Sequence, residues 1–300
     1  MAGTFYIIAA CLLWGLDTLI RYPLVDRGIS PLTIVFYEHS LLVIIFSLPL
    51  FTQLKKLSDL RLGDIFAFFV VGGVGSAIAT IAFTESFKYL NPSLVILLQK
   101  LQPVVAISLA SIVLKEEIQK PFILWAIVCL VGGLLVSSPD IERFYQLLVN
   151  DFRVVTSDFA LKGYGFVLVS IIGWGSATVF GKKLSMTGFE PRNILGGRFL
   201  MGLIFILPFM NWSKNLILPY GEDYLRLLAM VLLSGALAMW LYYQGLSRLS
   251  AKTTAIGEMF FPFFAVVLNW IFLGKELTML QLIGGALLLL GSVVIQLKKY

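Results

Sequence analysis

The fold is decided by the stretch Asn91-Pro-Ser-Leu-Val-Ile-Leu-Leu-Gln99-Lys100-Leu-Gln102-Pro103, which continues as an apolar run to Lys-Glu-Glu117. It is apolar enough to lie in a bilayer, yet it carries a proline and an ionisable residue near its middle. A second copy runs from Ser250 to Glu276, and its Pro262 follows Pro103 by 159 residues. Two interrupted membrane helices at matching places in two halves of a chain are typical of a transporter's binding site.

Composition places the chain in a membrane. Apolar residues make up 59% of it, charged residues only 13%, and the mean hydropathy is +0.91. A soluble protein cannot cover such a chain with polar surface, so lipid and other helices must do so. The net charge of +6 comes from basic residues scattered through short loops. Membrane topology explains that pattern better than nucleic-acid binding does.

Ten apolar windows are each long enough to cross the roughly 30 Å core of a bilayer. They fall near 4–24, 31–52, 63–85, 91–113, 121–138, 162–186, 191–210, 223–246, 250–273 and 277–297. The polar segment 139–161 divides them into two fives, at 1–138 and 162–300, and its Phe-Tyr-Gln-Leu-Leu-Val could form a short surface helix.

A unit of five helices crosses the membrane an odd number of times, so two tandem copies are inserted upside down relative to each other. The predicted fold is therefore an all-α integral membrane protein, with ten transmembrane helices in two inverted five-helix repeats around a central cavity. The basic doublets Lys55-Lys56, Lys182-Lys183 and Lys298-Lys299 favour cytoplasmic N- and C-termini. We expect a multi-pass protein of a bacterial cytoplasmic (inner) membrane.

Motifs shared by the two halves carry a family resemblance. Trp14-Gly15 matches Trp174-Gly175, and Glu117 and Glu276 are each followed by an apolar helix containing Gly-Gly. Together with the proline-then-glutamate pattern, these motifs resemble the EamA-type carriers of the drug/metabolite transporter superfamily. The resemblance implies a central cavity lined by helices one, three, four, six, eight and nine. The fifth and tenth helices would lie outside it, where they could make contacts in a homodimer.

The two prolines mark predicted helix breaks. Proline has no N–H to donate, so Pro103 frees the carbonyl of Gln99 and Pro262 that of Glu258. Broken helices are tolerated in lipid where they line a wet cavity or pack against protein. The polar residue one turn before each proline favours the cavity, whereas a simple packing kink is the alternative.

Ionisable residues inside the apolar windows are a second group of candidates. Each costs about 2.5–3.5 kcal/mol on insertion scales, so such residues mark function by default. Ion pairs that only hold helices together are the alternative explanation. With aromatic and polar neighbours on the same helices, the candidate substrate-binding residues are Trp14, Asp17, Glu38, His39, Thr80, Thr84, Gln99, Lys100, Trp174, Arg198, Trp240, Tyr243 and Glu258.

Polar positions differ between the halves although scaffold positions agree. Asp17 aligns with Ala177, Gln99 with Glu258, and Lys100 with Met259. An asymmetric site suits a substrate with unlike ends, so Lys100 or Arg198 would meet a carboxylate and the acidic residues an ammonium.

The predicted function is secondary transport of a small metabolite by alternating access, with export of an amino acid or related zwitterion favoured. A nucleotide-sugar or other anionic-metabolite carrier of the same fold is the alternative. An integral membrane enzyme acting on lipid-linked substrates is a remote one. The chain has no Gly-x-x-x-x-Gly-Lys-Ser/Thr motif for ATP, so the energy would come from the substrate's own gradient or from protons. No cofactor and no enzymatic activity are predicted. Glu258 is the first candidate for a group that exchanges protons. The expected partners are a small-molecule substrate and the lipid bilayer.

Overall fold

A computed structural model describes residues 2–46, 61–150, 159–216, 218, 220–246, 248, 257–258 and 260–298. Every regular element in these ranges is a helix. The helices are α1 (Ala2–Asp26), α2 (Pro31–Phe46), α3 (Leu62–Ser86), α4 (Pro92–Val113), α5 (Lys120–Val136), α6 (Ser138–Asn150), α7 (Phe159–Met186), α8 (Pro191–Ile206), α9 (Trp212–Asn215), α10 (Gly221–Met230, continued by Val231–Leu237 and Ala238–Leu246), α11 (Phe260–Leu273) and α12 (Met279–Lys298).

Six of these helical segments are long and apolar enough to cross a membrane, by length and composition: Ala2–Asp26, Leu62–Ser86, Pro92–Val113, Phe159–Met186, Arg192–Phe209 and Gly221–Tyr242. Four further apolar helices are shorter within the described residues: Pro31–Phe46, Lys120–Val136, Phe260–Leu273 and Met279–Ile295. These segments fall in the ten windows expected from the sequence. The polar connection expected at 139–161 is helical over Ser138–Asn150, and the Tyr164 hydroxyl attaches it to α7 by donating to Asp140 at 2.7 Å.

Unusual backbone conformations recur at matching places in the two halves. Gly28 and Gly188 end α1 and α7 with φ of 85° and 93°, and Lys115 and Gly274 follow α4 and α11 with φ of 56° and 59°. A positive φ is normally reserved for glycine, so Lys115 occupies a strained conformation that its counterpart adopts freely. The third helix of each half also contains a π-helical segment, at Val70–Ile78 in α3 and Val231–Leu237 in α10.

The proline breaks are repaired by the same local device. Gln99–Leu101 tightens into a 3₁₀ turn, and the Gln102 N–H donates to the Gln99 carbonyl. The Phe261 N–H likewise donates to the Glu258 carbonyl at 3.2 Å. The two carbonyls that were expected to be free thus each accept a hydrogen bond from the N–H three residues later. Proline removes only the N–H four residues later, so this shorter bond of the 3₁₀ type remains available.

The break changes the neighbour of α4. Before it, Pro92–Leu98 packs against α11, and after it, Gln102–Val113 packs against α7. The buried Asn269 side chain of α11 donates to the Ser93 hydroxyl at 3.2 Å and ties the first part of α4 in place. The tightened turn therefore lies where α4 leaves α11.

Small residues bring several helices into backbone contact. A Cβ added to Gly75 of α3 would lie 2.2 Å from the Ala177 Cβ of α7, and one added to Gly72 would lie 2.5 Å from the Met201 Cβ of α8. Gly132 of α5 and Gly284 of α12 face each other in the same way, 2.8 and 2.7 Å from the opposite carbonyl oxygen. Close approach of this kind is how membrane helices gain packing energy in lipid. The glycine faces of α5 and α12 are thus occupied within the chain.

Candidate binding cavity

A cavity of about 470 Å³ lies at the centre of the helices. Residues of eight helices line it: α1, α2, α3, α4, α7, α8, α10 and α11. Helices one, three, four, six, eight and nine of the resemblance correspond to α1, α3, α4, α7, α10 and α11, so α2 and α8 are additional. Nine of the predicted site residues line it: Trp14, Asp17, Glu38, His39, Thr80, Gln99, Lys100, Trp174 and Arg198.

Three predicted residues do not line the cavity. Thr84 is fully buried beside the cavity, and Glu258 accepts a hydrogen bond from the Tyr242 hydroxyl at 2.7 Å without lining it. Trp240 is 54% exposed on the outer face of α10. Met239 lines the cavity instead, and the next residue of a helix points about 100° further round. The Tyr243 side chain lies outside the described residues.

Arg21 is the ionisable residue of the cavity lining that the sequence reasoning missed. Its guanidinium donates to Asp17 at 2.7 and 3.1 Å and to Glu38 at 3.0 and 3.2 Å. It also donates to the Thr84 hydroxyl at 3.3 Å. The side chain is only 4% exposed. One arginine therefore compensates both carboxylates, and these acids act first as partners of Arg21 rather than as free groups for a substrate.

The cluster also joins the two halves of the chain. The Ser234 hydroxyl of α10 donates to Asp17 at 2.7 Å, and the Trp14 indole N–H donates to the Ser234 carbonyl at 3.1 Å. The Trp14 ring contacts Tyr242 and Phe261, with centroids 5.4 and 6.3 Å away. Helix α1 is thus held to α10 and α11 by polar and aromatic contacts in the cavity wall.

His39 belongs to a second buried chain of hydrogen bonds. Its Nδ1 lies 2.9 Å from the Val35 carbonyl and its Nε2 lies 2.9 Å from the Ser76 hydroxyl. A carbonyl only accepts, so Nδ1 carries the proton, and a neutral imidazole then accepts at Nε2 from Ser76. Ser76 in turn accepts from the Arg198 Nε at 3.2 Å. The chain orients Arg198 across α2, α3 and α8.

The break in α4 places two consecutive polar residues on the cavity. Gln99 is 8% exposed, and its buried Nε2 has no hydrogen-bond partner among the described residues. The Lys100 ammonium lies 5.4 Å from the centroid of the Phe261 ring and within electrostatic reach of Glu258. No carboxylate of the described residues forms an ion pair with Lys100. These groups have bonding capacity that the protein leaves unused.

One group of contacts between the halves lies where α1 and α11 end and α4 and α10 begin. Arg27, just after α1, pairs with the buried Asp223 of α10 at 2.8 Å. The Asn91 amide before α4 donates to the Glu276 carbonyl at 3.0 Å. Lys275 lies 4.7 Å from the centroid of the Tyr22 ring, which shows that the ends of α1 and α11 share this face. Polar contacts thus join the two halves at this face.

Comparison with known proteins agrees with this architecture. The model of the EamA-like transporter family matches residues 1–138 and 161–297. The chain belongs to the EamA-like transporter family. It is an integral membrane protein of a transporter family.

Two relatives align over nearly the whole chain. One, from Fusobacterium nucleatum, is named "Riboflavin transporter ImpX" and is 30% identical over 97% of this chain and 96% of its own length. An uncharacterized transporter of Archaeoglobus fulgidus is 23% identical over 95% of each chain. A solved crystal structure superposes with a TM-score of 0.62 at 15% identity, covering 99% of this chain and 97% of that one. At that identity the likeness shows the fold alone.

Proposed function

We propose that this EamA-family protein is a secondary transporter that carries a planar heteroaromatic metabolite through its central cavity, with riboflavin as the first candidate. The observation that carries the proposal is the cavity wall. Aromatic rings of Trp14, Phe83, Trp174, Phe199 and Phe261 surround unsatisfied hydrogen-bonding groups. Its volume of about 470 Å³ lies within the range of small-molecule sites, roughly 300–1,000 Å³. The name of the Fusobacterium relative supports the same substrate class.

The proposed architecture is ten membrane spans in two inverted five-helix repeats that work by alternating access. Its support is the recurrence of backbone features at matching places. The glycine caps Gly28 and Gly188 and the paired π-helical segments are examples. Both termini would be cytoplasmic in a bacterial inner membrane. Reporter fusions at the loops before α4 and after α11 should both read outside, and a cytoplasmic reading at either loop would overturn this topology.

An amino acid or related zwitterion is the second candidate substrate. Lys100 and Glu258 lie within electrostatic reach of each other beside the cavity and would suit unlike charges. Against this candidate, Asp17 and Glu38 already bind Arg21. Of the three acids proposed to hold an ammonium, only Glu258 is outside that cluster. Besides Arg21, which is paired with two of those acids, a nucleotide sugar finds two cations in the described cavity lining, Lys100 and Arg198.

A reconstitution experiment distinguishes these substrates. The purified protein is reconstituted into liposomes, which are then loaded with riboflavin, an amino-acid mixture or a nucleotide sugar. The movement of each solute across the liposome membrane is followed with and without a pH gradient. Counterflow of riboflavin alone supports the proposal. Amino-acid movement without riboflavin movement replaces it with the zwitterion function. Chemical conversion of the solute without vectorial movement would show an enzyme instead.

A further inference from the structure

We propose that Gln99 and Lys100 form a subsite that recognises a cyclic imide edge, the C=O–N–H–C=O array of a planar heterocycle. The inference rests on the proposed function and names the part of the substrate that Gln99 and Lys100 bind. Riboflavin carries one such edge on its terminal pyrimidine ring, its dimethylbenzene ring lies at the opposite end of the ring system, and its sugar-alcohol chain branches from the central ring. The subsite would therefore orient the substrate in the cavity.

Gln99 supplies the first half of the argument. Its side chain is more than nine-tenths buried on the cavity wall, and its Nε2 donates to no described residue. Buried polar groups in native proteins are nearly always bonded, so an unsatisfied amide in a cavity points to a missing partner. A carboxamide presents a donor and an acceptor side by side. That pattern complements one carbonyl and the adjacent N–H of an imide through two parallel hydrogen bonds.

Lys100 supplies a second donor next to the first. It follows Gln99 in the tightened turn, and both line the cavity. Its ammonium is half-buried and forms no ion pair with the described carboxylates. An ammonium has three donors and no acceptor, so it suits the second carbonyl of the imide. It also favours an imide over a neutral amine, because it repels any donor or positive charge.

The Phe261 ring beside Lys100 explains why a planar substrate would be favoured. Phe261 lines the cavity, and the Lys100 ammonium lies 5.4 Å from its centroid. Trp14 lies edge-on to Phe261 with 6.3 Å between centroids. A flat heterocycle can pack against such rings while its polar edge points to the break in α4. A flexible zwitterion would leave these ring faces without a partner.

Binding measured by quenching of flavin fluorescence in detergent tests the subsite without requiring transport. The probes are riboflavin and N3-methylriboflavin, in which a methyl group replaces the imide hydrogen. The wild-type protein should bind the methylated probe at least tenfold more weakly, since the Gln99 carbonyl loses its donor and meets a methyl group. Gln99→Leu should weaken riboflavin binding by about three- to tenfold and remove the discrimination. Lys100→Met should weaken both probes.

Matched controls use exposed residues of the same types. Gln146→Leu on α6 and Lys162→Met on α7 should leave both affinities unchanged. Equal binding of the two flavins by the wild-type protein, or discrimination that survives Gln99→Leu, would overturn the imide subsite while leaving riboflavin transport intact. If riboflavin does not bind but uridine binds better than N3-methyluridine, measured by isothermal titration calorimetry, the proposed substrate fails and the subsite stands. If no imide binds, both fall.

Discussion

The Arg21 guanidinium shows how a single residue sets the chemistry of the cavity. It fills most of its bonding capacity with Asp17, Glu38 and Thr84, which lie on three helices. The spacing of Asp17 and Arg21, four apart on an apolar helix, is the signal in the sequence that could have revealed the pair. Glu38 carries no such signal, because its contact with Arg21 depends on how α2 packs against α1. Local spacing predicts pairs within a helix and not between helices.

Replacing Arg21 with methionine should lower the free energy of unfolding by about 3–5 kcal/mol, because two buried carboxylates lose their shared partner. The measurement is thermal unfolding in detergent. Arg192→Met is the control, since its pair with Glu190 is 61% and 48% exposed and should contribute little. Adding Asp17→Asn and Glu38→Gln to the Arg21 variant should restore much of the stability. If the triple variant is no more stable than Arg21→Met alone, the loss of stability comes from the packing of the Arg21 side chain rather than from the unpaired carboxylates.

Lys115→Gly should raise stability by about 1 kcal/mol, because Lys115 holds φ at 56° where an L-residue is strained. The second half of the chain provides the reverse experiment at Gly274, whose φ is 59°. Gly274→Ala should lower stability by a similar amount. Both are measured as shifts in the unfolding temperature of the purified protein. A neutral or negative shift for Lys115→Gly would contradict the strain argument.

At the scale of helices, hydrophobicity and turn residues predicted most of the arrangement. The described helices fall in the expected apolar windows, because each must shield its backbone from lipid along its length. Positions around a helix were predicted less well. Trp240 faces outward while Met239 lines the cavity, a difference of one residue that hydropathy cannot resolve in a helix apolar on all sides. The pairing of the Gln99 carbonyl also escaped prediction, because it depends on a local 3₁₀ turn.

The contact of α5 with α12 can be tested with two adjacent glycines. Gly132→Ala places a Cβ 2.8 Å from both the Gly284 carbonyl and the Leu288 backbone nitrogen, which forces the helices apart. Overpacking of this kind costs about 1–3 kcal/mol. At Gly133 a Cβ would have its nearest atom at 3.4 Å, an ordinary contact, so Gly133→Ala should be nearly neutral. Thermal unfolding of both variants is the measurement. Equal losses would contradict the overpacking argument, because helix propensity alone favours alanine over glycine at both positions.

On the scale of the whole molecule, the face where α1 and α11 end carries an ion pair, Arg27 with Asp223, that the sequence repeat does not reproduce. The counterparts of Arg27 and Asp223 in the other half are Thr187 and Asp64, which cannot form the same ion pair. Scaffold positions are shared because both halves need the same backbone, whereas these side chains serve only one face. Matching the two halves in sequence therefore could not predict this ion pair.

Cross-linking this face should stop transport if the halves must separate there. Asn91 and Glu276 lie at adjoining loops, with the Asn91 amide 3.0 Å from the Glu276 carbonyl. The double variant Asn91→Cys, Glu276→Cys, bridged by a short bifunctional methanethiosulfonate, should lose substrate movement in liposomes and regain it after reduction. Each single-cysteine variant treated in the same way should remain active. Transport that continues in the bridged protein would show that this face does not open.

The contact between Gly132 and Gly284 also has a consequence for biosynthesis. The ribosome makes α6 through α11 between these two glycines, so α5 enters the membrane long before its packing partner exists. Chains fold from the N-terminal part during translation at about 5–20 residues per second. For that interval the glycine face of α5 is covered only by lipid or by a temporary neighbour. The packing of α5 is thus completed by a helix translated only after α6 through α11.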